Sequence, residues 1–359
     1  MNETFGSRSQ TGEVLIYGAT GYTGRLAAEH AVSRGLRPVL AGRDADGIGR
    51  LAKELTLPHR VFRLDDPTEV RRGLQGVAAV LHAAGPFSAT SRPMAEGCIA
   101  AGAHYCDITG EIDVFEDLAK LDARARAAGV MLLPGAGFDV VPSDCLAAHV
   151  VARLPEAVRL RLSIAGLTRF SRGTAKTMVE LIVRGTAVRS GGRIVERKRA
   201  PRGSADFGAG PRPTVGMTWG DVSTAWHSTG VADIAVFFEA DRAMRVATNI
   251  PAPIKRVLGL KPVQRMLTAQ IDRRLPPGPT AEQRASGSAV IVAEAWNAAG
   301  MRAASRLVTP EAYALTALTA VEIVRRASSG DAAVGFQTPS KAFGADLVLA
   351  FEGVRRQDL

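Results

Sequence analysis

The chain has 359 residues, of which 46% are hydrophobic; this suits two globular domains and excludes a disordered protein. Its formal net charge is +10, and the excess lies in two segments, Arg184–Arg212 and Arg245–Arg274, which together carry +12. No apolar stretch is long enough to span a membrane, and the polar first residues do not resemble a secretory leader. Three widely spaced cysteines without a C-x-x-C pair argue against a metal site, so we expect no metal and a cytoplasmic protein.

Short apolar runs alternate with helical patterns over the first 150 residues, which is typical of a parallel sheet with crossover helices. The predicted strands are Val14–Tyr17, Pro38–Ala41, Val61–Leu64, Ala78–His82, His104–Cys106 and Val130–Leu133. The predicted helices are Gly24–Arg34, Gly47–Leu55, Thr68–Leu74, Pro93–Ala101 and Asp113–Ala128. Six strands joined by five crossovers predict a doubly wound, Rossmann-type α/β sheet.

The pattern changes from Arg159 onwards, where strand-like stretches follow one another with few helices between them. These stretches are Arg159–Ala165, Arg193–Arg197, Ile234–Glu239, Ala289–Ala295 and Arg302–Val308. They predict an inserted α+β second domain on a mixed sheet. We therefore expect a nucleotide-binding domain at residues 1–150, a substrate domain at residues 151–308, and a segment at residues 309–359 that completes the first domain. That last segment includes a predicted helix at Pro310–Ala327.

A buried strand, a glycine turn and a helix start follow one another from Val14 to Gly24. Gly18 permits a tight turn, Gly21 lets the backbone approach a pyrophosphate, and Gly24 lets the helix lie close to the strand. The free N–H groups of the helix start suit phosphates, although a glycine-rich turn without a ligand is the alternative. The predicted dinucleotide contacts are Gly18, Thr20, Gly21, Tyr22, Thr23 and Gly24.

The second strand ends at Gly42 and Arg43, where an NAD enzyme usually has an acidic residue for the ribose 2′-hydroxyl. An arginine at this position pairs with a 2′-phosphate, so we expect NADP(H) as the cofactor. A solvated surface charge is the alternative for Arg43. Asp65, at the end of the third strand, is expected either to contact adenine or to cap the following helix.

The ends of the fourth to sixth strands should face the nicotinamide, because ligands lie beyond the carboxyl ends of parallel strands. The expected cofactor contacts there are Ala84, Gly85 and Pro86. The expected proton donors are Tyr105, Asp107 and Asp139, with water as an alternative donor and helix capping as the competing role of the acids. The expected substrate contacts are Phe87, Glu111, Phe138, Ser171 and Thr174. The last two form a hydroxyl-rich helix start that also suits an ordinary N-cap.

Six motifs occur together in this chain: Gly18–Gly24, Ala41–Arg43, Ala84–Phe87, His104–Glu111, Gly137–Asp144 and Gly335–Gly344. As a set they resemble the saccharopine dehydrogenase-like oxidoreductases, and within these most the branch of trans-acting enoyl reductases. The resemblance covers about residues 14 to 150 and returns at the C-terminus. It implies an NADP-binding domain completed by the C-terminal segment, with a substrate domain inserted between them.

The resemblance favours an NADPH-dependent oxidoreductase that reduces a polarised C=C bond, of the enoyl type, in a small or carrier-bound biosynthetic intermediate. Reduction of a C=N bond by a saccharopine-type amino-acid dehydrogenase is the first alternative. That reaction handles diacids, so it requires several Arg or Lys residues converging on the cleft. A non-catalytic NADP-binding scaffold is the second alternative.

The basic segment from Ile254 to Ile271 has apolar residues at helical spacing on both sides of an interruption at Gly259 and Pro262. It predicts either a solvated helix packed on its own domain or a surface for an acidic carrier protein, a CoA-like group or an anionic membrane. Nucleic acid is not expected, because no aromatic residues are interleaved for stacking. The oligomeric state stays open, and a homodimer is one expectation.

Overall fold

The computed structural model describes residues 12–167, 171–181, 185–240 and 252–359. Residues 1–11 of the expected first domain lie outside the described residues, and so do Arg184 and residues 245–251 of the basic segments and the side chain of Lys255. Within the described ranges, none of the helices combines the length and the apolar character that crossing a membrane requires.

Strands and helices alternate regularly over the first part of the chain. The strands are β1 Glu13–Tyr17, β2 Val39–Gly42, β3 His59–Val61, β4 Val77–His82, β5 His104–Asp107 and β6 Met131–Leu133. The helices are α1 Tyr22–Ser33, α2 Ala45–Leu55, α3 Pro67–Gly73, α4 Phe87–Ala101, α5 Ile112–Ala119 and α6 Asp122–Ala127. Strands β4 and β5 are buried at every position, as expected of central strands with helices on both faces.

The next part of the chain builds a second sheet. It begins with helix α7, Val141–Ala152, which has buried residues on every side and therefore lies inside the molecule. The strands are β7 Ala157–Ala165, β8 Thr186–Ser190, β9 Arg193–Arg197, β10 Arg202–Asp206, β11 Pro211–Gly216, β12 Asp233–Glu239, β13 Ser288–Asn297 and β14 Arg302–Pro310. The helices are α8 Arg172–Leu181, α9 Asp221–Thr229, α10 Ala252–Leu258, α11 Lys261–Arg274 and α12 Ala281–Ser286.

The C-terminal residues return to both sheets. Helix α13, Ala312–Ser328, packs on α1, β4 and β5, and strand β15, Gly335–Phe336, pairs in parallel with β6. After helix α14, Pro339–Phe343, strand β16, Arg355–Asp358, pairs with β14 of the second sheet. The first sheet has the order β15-β6-β5-β4-β1-β2-β3 and the second the order β10-β11-β12-β7-β13-β14-β16, with β8 paired to β12 and β9. This confirms the predicted fold class, a doubly wound parallel sheet with an inserted mixed-sheet domain.

One continuous apolar core connects the two sheets. It includes Ile16 and Leu81 of the first sheet, Leu146 of α7, and Leu160 and Ile291 of the second sheet. Because α7 contacts β7, β13 and β14 directly, the second sheet is held next to the carboxyl edge of the first.

Two boundaries differ from the prediction for identifiable reasons. The third strand lies at His59–Val61, because its pairing with β2 ends at Val61. The predicted helix at Asp113–Ala128 is two helices, α5 and α6. Asp122, at the start of α6, accepts the N–H of Phe336 at 2.7 Å, so the chain bends there to receive the C-terminal strand.

The last segment also differs from the expected division. Residues 355–358 lie in the second sheet, whereas the sequence pattern placed all of residues 309–359 with the first domain. Strands β8, β10, β11 and β16 and helix α9 were not predicted either. Three of these strands carry exposed polar positions at the sheet margin and show no clear alternation.

Candidate functional site

The glycine turn between β1 and α1 forms an open cradle at the carboxyl edge of the first sheet. Gly18 has φ +83°, and a Cβ atom added there would lie 2.8 Å from the Cβ atom of Ala84. A Cβ atom on Gly24 would lie 2.2 Å from the carbonyl oxygen of Gly18. The structure therefore confirms the backbone roles predicted for these two glycines, the tight turn and the close approach of helix to strand.

Helix α1 is preceded by an exposed Gly21, which provides no side-chain cap. The Arg25 N–H donates to the carbonyl oxygen of Gly21 at 2.8 Å, which is the first backbone hydrogen bond of the helix. The N–H groups of residues 22–24 therefore have no acceptor within the helix. These N–H groups and the positive helix end suit a pyrophosphate, and the exposed Thr20 lies beside them. The cradle therefore fits the phosphates of a dinucleotide.

Arg43 and Asp65 follow the second and third strands, and both are exposed. Arg43 is accessible there to a 2′-phosphate. The carboxylate of Asp65 pairs with Arg63, with 2.7 Å between Oδ2 and Nη2, and this hydrogen bond lowers the pKa of Asp65. The helix cap predicted at Asp65 is provided instead by the next residue, Asp66. Asp66 directly precedes the proline at the first helical position, and its carboxylate accepts the Thr68 N–H at 2.8 Å.

Residues 84–86 lead directly into helix α4, which begins at Phe87, well before its predicted start. Glu111 is the reason, since its carboxylate accepts the N–H groups of Phe87 at 3.3 Å and Ser88 at 3.1 Å. A negative charge at this end of the helix is stabilising. The carboxylate predicted to contact substrate therefore caps a helix. Gly85 and Pro86 stay exposed at the edge of the cradle.

The two aromatic residues predicted to contact substrate lie in different surroundings. Phe138 is 2% exposed and belongs to the apolar core, and its N–H donates to Thr316 Oγ1 of α13 at 3.0 Å. Its predicted substrate contact is wrong, because α13 covers this part of the loop. Phe87 is half-buried and packs edge-on against His82, with 5.6 Å between the ring centroids, so part of it remains at the cleft.

Tyr105 and Asp107 form a buried pair beneath the cleft. Both are 0% exposed, and the Tyr105 hydroxyl donates to Asp107 Oδ2 at 2.6 Å. Asp107 Oδ1 accepts the N–H groups of Thr109 and Gly135, each at 2.9 Å. Burial raises the pKa of Asp107 to about 6, although the three hydrogen bonds favour its charged form. The predicted role as proton donors does not hold for Tyr105 and Asp107, because neither reaches the cleft.

Asp139, the third predicted proton donor, lies in different surroundings. Its side chain is partly exposed, and no donor among the described residues binds its carboxylate. Loss of hydration raises the pKa of Asp139 to about 7. A Cβ atom on Gly110 would lie 2.8 Å from Asp139 Oδ2, so the glycine allows this carboxyl group to fit beside the loop that follows β5. Asp139 remains a candidate acid at neutral pH.

A cluster of three hydroxyl groups joins α8 to the first turn of α13. The Tyr313 Oη accepts the Ser171 N–H at 2.7 Å and shares a hydrogen bond with Thr174 Oγ1 at 2.9 Å. The Ser171 Oγ accepts the Thr174 N–H at 3.2 Å, which confirms the N-cap alternative for Ser171. Burial raises the pKa of Tyr313, although its hydrogen bonds with Ser171 and Thr174 favour the charged form. The cluster therefore holds the phenol of Tyr313 in a fixed position.

A cavity of about 210 Å³ lies at the start of α13. Its lining includes Glu311 and Ala312, directly before Tyr313, and Pro279, whose carbonyl oxygen accepts the Tyr22 hydroxyl at 2.5 Å. The Tyr22 ring packs edge-on against the Tyr313 ring, with 5.3 Å between the ring centroids. The Tyr22 side chain therefore connects the start of α1 with the start of α13, while its backbone N–H remains in the cradle. The other lining residues are Gly166, Leu167, Gln283, Ser286 and Gly287.

Sequence reasoning does not find Tyr313 or Asp221. A signal for Tyr313 was present, since a helix that returns to the first sheet places its first turn near the carboxyl ends of the strands. Asp221 gave no such signal. It is buried at the start of α9, where its Oδ2 accepts the Ser143 hydroxyl at 2.8 Å and its Oδ1 has no partner among the described residues. Burial raises the pKa of Asp221 well above its usual range.

The cradle matches a known family, and part of the chain matches curated proteins. Residues 14–133 match the family model of the saccharopine dehydrogenase NADP binding domain. The trans-acting enoyl reductase of Mycobacterium ulcerans (strain Agy99) is 30% identical over 154 residues, and that of Mycobacterium leprae (strain TN) is 32% identical over 141 residues. These matches cover 40% and 37% of this chain but 36% and 34% of the relatives, so the chain matches about a third of their length.

The fold is similar to the solved structure of apo histidine-tagged saccharopine dehydrogenase (L-Glu forming) from Saccharomyces cerevisiae. The TM-score is 0.65 over 97% of this chain and 100% of that chain, at 9% identity, which is a likeness of fold alone. The family match confirms the cofactor predicted from Arg43, NADP(H). It ends at residue 133, before Asp139, Ser171 and Tyr313.

Proposed function

We propose that this chain, whose residues 14–133 belong to the saccharopine dehydrogenase NADP-binding domain family, is an NADPH-dependent reductase of polarised C=C bonds. The proposed substrate is the enoyl group of a small or carrier-bound biosynthetic intermediate. The observation that carries the proposal is the hydroxyl cluster at the start of α13, where the Tyr313 phenol is bound by the Ser171 N–H at 2.7 Å and by the Thr174 hydroxyl at 2.9 Å. A phenol held in this way suits proton donation to a carbon atom.

The chemistry requires a hydride and a proton. The glycine turn at residues 18–24 and Arg43 would hold NADPH, which would supply the hydride that the β-carbon of the enoyl group accepts. Tyr313 then donates its hydroxyl proton to the α-carbon, where the electron pair of the former double bond forms the new C–H bond. The Ser171 N–H and the Thr174 hydroxyl orient the phenol oxygen and stabilise its negative charge after the transfer. Asp139, with its pKa near neutrality, returns a proton to Tyr313 from solvent.

Two further points support the proposal. The two Mycobacterium relatives are named as trans-acting enoyl reductases, although they match only part of this chain. The packing also favours a division in which residues 12–150 and 309–354 bind the cofactor, while the described residues of 151–308, joined by 355–358, form the substrate side. In that division the cavity lies between the two, lined by residues of both.

Consumption of NADPH tests the proposal directly. The purified chain would be given NADPH with an enoyl-CoA thioester, with its saturated analogue, or with a 2-oxo acid and an amino acid that form an imine together. We expect NADPH oxidation with the enoyl thioester alone. Oxidation only in the presence of the amino acid would overturn the proposal in favour of C=N reduction. Tight NADPH binding without turnover on any unsaturated substrate would favour a scaffold.

A further inference from the structure

Helices α10 and α11 carry an exposed surface that is both apolar and basic. Four large apolar residues near one another in the chain are more than half exposed: Ile254 by 51%, Val257 by 54%, Leu260 by 54% and Met266 by 57%. The basic residues Arg256, Lys261, Arg265, Arg273 and Arg274 are exposed in the same segment. These nine residues are called the helical surface below.

Packing among the residues that the structure describes does not account for this surface. Helix α11 packs on α8, and its residues Val263, Leu267 and Ile271, spaced four apart, are partly buried. Met266 lies off that stripe and shares a face with Arg273, seven residues later. The apolar side chains of the helical surface are therefore additional to those that attach the helix to its own domain.

The charge of the segment is almost entirely of one sign. Residues 252–274 contain six Lys or Arg and one acidic residue, Asp272, and no carboxylate of the described residues forms an ion pair with Arg256, Lys261 or Arg265. A partner must therefore be anionic and must also accept apolar side chains. An acidic protein satisfies the cations but offers a hydrated surface, whereas an anionic bilayer offers phosphates at the height of the cations and acyl chains just below them.

We propose that the helical surface binds an anionic lipid membrane. Arg256, Lys261 and Arg265 contact the lipid phosphates, while Val257, Leu260 and Met266 insert into the headgroup–acyl boundary. The segment that follows α11 connects this surface to the candidate site. The Leu275 carbonyl oxygen accepts Arg172 Nε of α8 at 2.7 Å, next to the hydroxyl cluster. A membrane on this surface would therefore lie close to the cavity.

Vesicle co-sedimentation tests the proposal, with vesicles of equal parts phosphatidylglycerol and phosphatidylcholine compared with pure phosphatidylcholine. The chain is used without NADPH or substrate, so the outcome is separate from that of the proposed reaction. We expect binding to the anionic vesicles that weakens with added salt and is lost on the neutral ones. The R256Q/K261Q/R265Q variant should bind about 100-fold more weakly, since each basic residue near an anionic surface contributes roughly fivefold.

The matched control is R197Q/K198Q/R199Q, which removes the same charge from another exposed segment and should bind like the parent. The L260S/M266S variant should lose roughly tenfold or more in affinity while keeping its salt dependence. Circular dichroism and NADPH affinity verify that each variant is folded. Equal losses in both triple variants would overturn the proposal. So would vesicle binding that is absent while an acyl carrier protein binds, or a parent dimer that L260S/M266S dissociates in analytical ultracentrifugation.

Discussion

The two halves of the candidate site are assembled in different ways. The cofactor half consists of the glycine turn and Arg43, which lie within one matched stretch of chain, residues 14–133. In the proposed reaction half, Ser171 and Tyr313 are hydrogen-bonded although 142 positions separate them in the chain, and Asp139 comes from a third part. Local substitutions should therefore alter cofactor affinity alone, whereas the reaction depends on how the second sheet and α13 pack against the first sheet.

Asp107 and Asp139 show a second contrast, in burial and hydrogen bonding. Asp107 is the last residue of β5, and Asp139 lies in the loop after the neighbouring strand β6. Asp107 is fully buried and accepts three hydrogen bonds from two loops and Tyr105. Asp139 is partly exposed and has no donor among the described residues. The same residue type at the same sheet edge is thus structural in one place and available for chemistry in the other.

The largest expected effect is on stability, from Asp107→Ala. This change leaves two buried N–H groups and a buried hydroxyl without an acceptor, so the free energy of unfolding should fall by about 3–5 kcal/mol. Asp139→Ala, the matched control, should change it by less than about 1 kcal/mol near pH 6. Urea unfolding followed by circular dichroism measures both. Equal destabilisation by the two substitutions would remove the distinction between the two acids.

The next largest effect is on turnover, from Tyr313→Phe. Losing a general acid should lower kcat for the enoyl thioester roughly 10²–10³-fold, while the affinity for NADPH stays unchanged. Tyr17→Phe is the matched control, because the Tyr17 hydroxyl donates to the Phe62 carbonyl oxygen at 3.0 Å, in the core beneath the first sheet. Steady-state kinetics and fluorescence titration separate the two quantities. A kcat of Tyr313→Phe close to that of the parent would exclude the phenol as the proton donor.

A smaller effect is expected in the cofactor half, from Arg43→Ala. Loss of a charge-assisted hydrogen bond to the 2′-phosphate should weaken NADPH binding about 10–100-fold, with NADH binding and kcat at saturation nearly unchanged. Isothermal titration with both cofactors measures this preference. If the parent binds NADPH and NADH equally well, Arg43 is only a solvated surface charge.

The smallest effect concerns pH, from Asp139→Asn. Burial raises the pKa of Asp139 from 3.8 to about 7, so the folded protein holds a proton that the unfolded chain has lost between these values. This group therefore lowers stability as the pH rises from about 4 to about 7. The variant should be more stable than the parent at pH 8 by on the order of 1–2 kcal/mol, a value reduced by partial exposure. Parallel stability curves from pH 4 to pH 8 would contradict the shift.

Much of the cofactor half follows from adjacent residues. The positions of Gly18 and Gly24 in one strand–turn–helix unit require their close backbone contacts, because the spacing of the unit determines which atoms meet. Arg43 follows its strand directly, so its position is likewise local. The assignment of Phe138 was wrong, because an adjacent helix covers it, whereas the substrate contact of Glu111 stays a prediction beside its observed role as a helix cap.

By itself, the sequence determined the parallel sheet, its glycine cradle and the choice of NADP(H), since periodicity and turn chemistry act over a few residues. Only the tertiary structure decided that Tyr105 and Asp107 are buried, that none of the described residues donates a hydrogen bond to the Asp139 carboxylate, and that Tyr313 approaches Ser171 and Thr174. Burial and hydrogen bonding of these side chains depend on elements far apart in the chain. The residues next to Asp107 and Asp139 in the chain therefore do not predict which of the two carboxyl groups is buried.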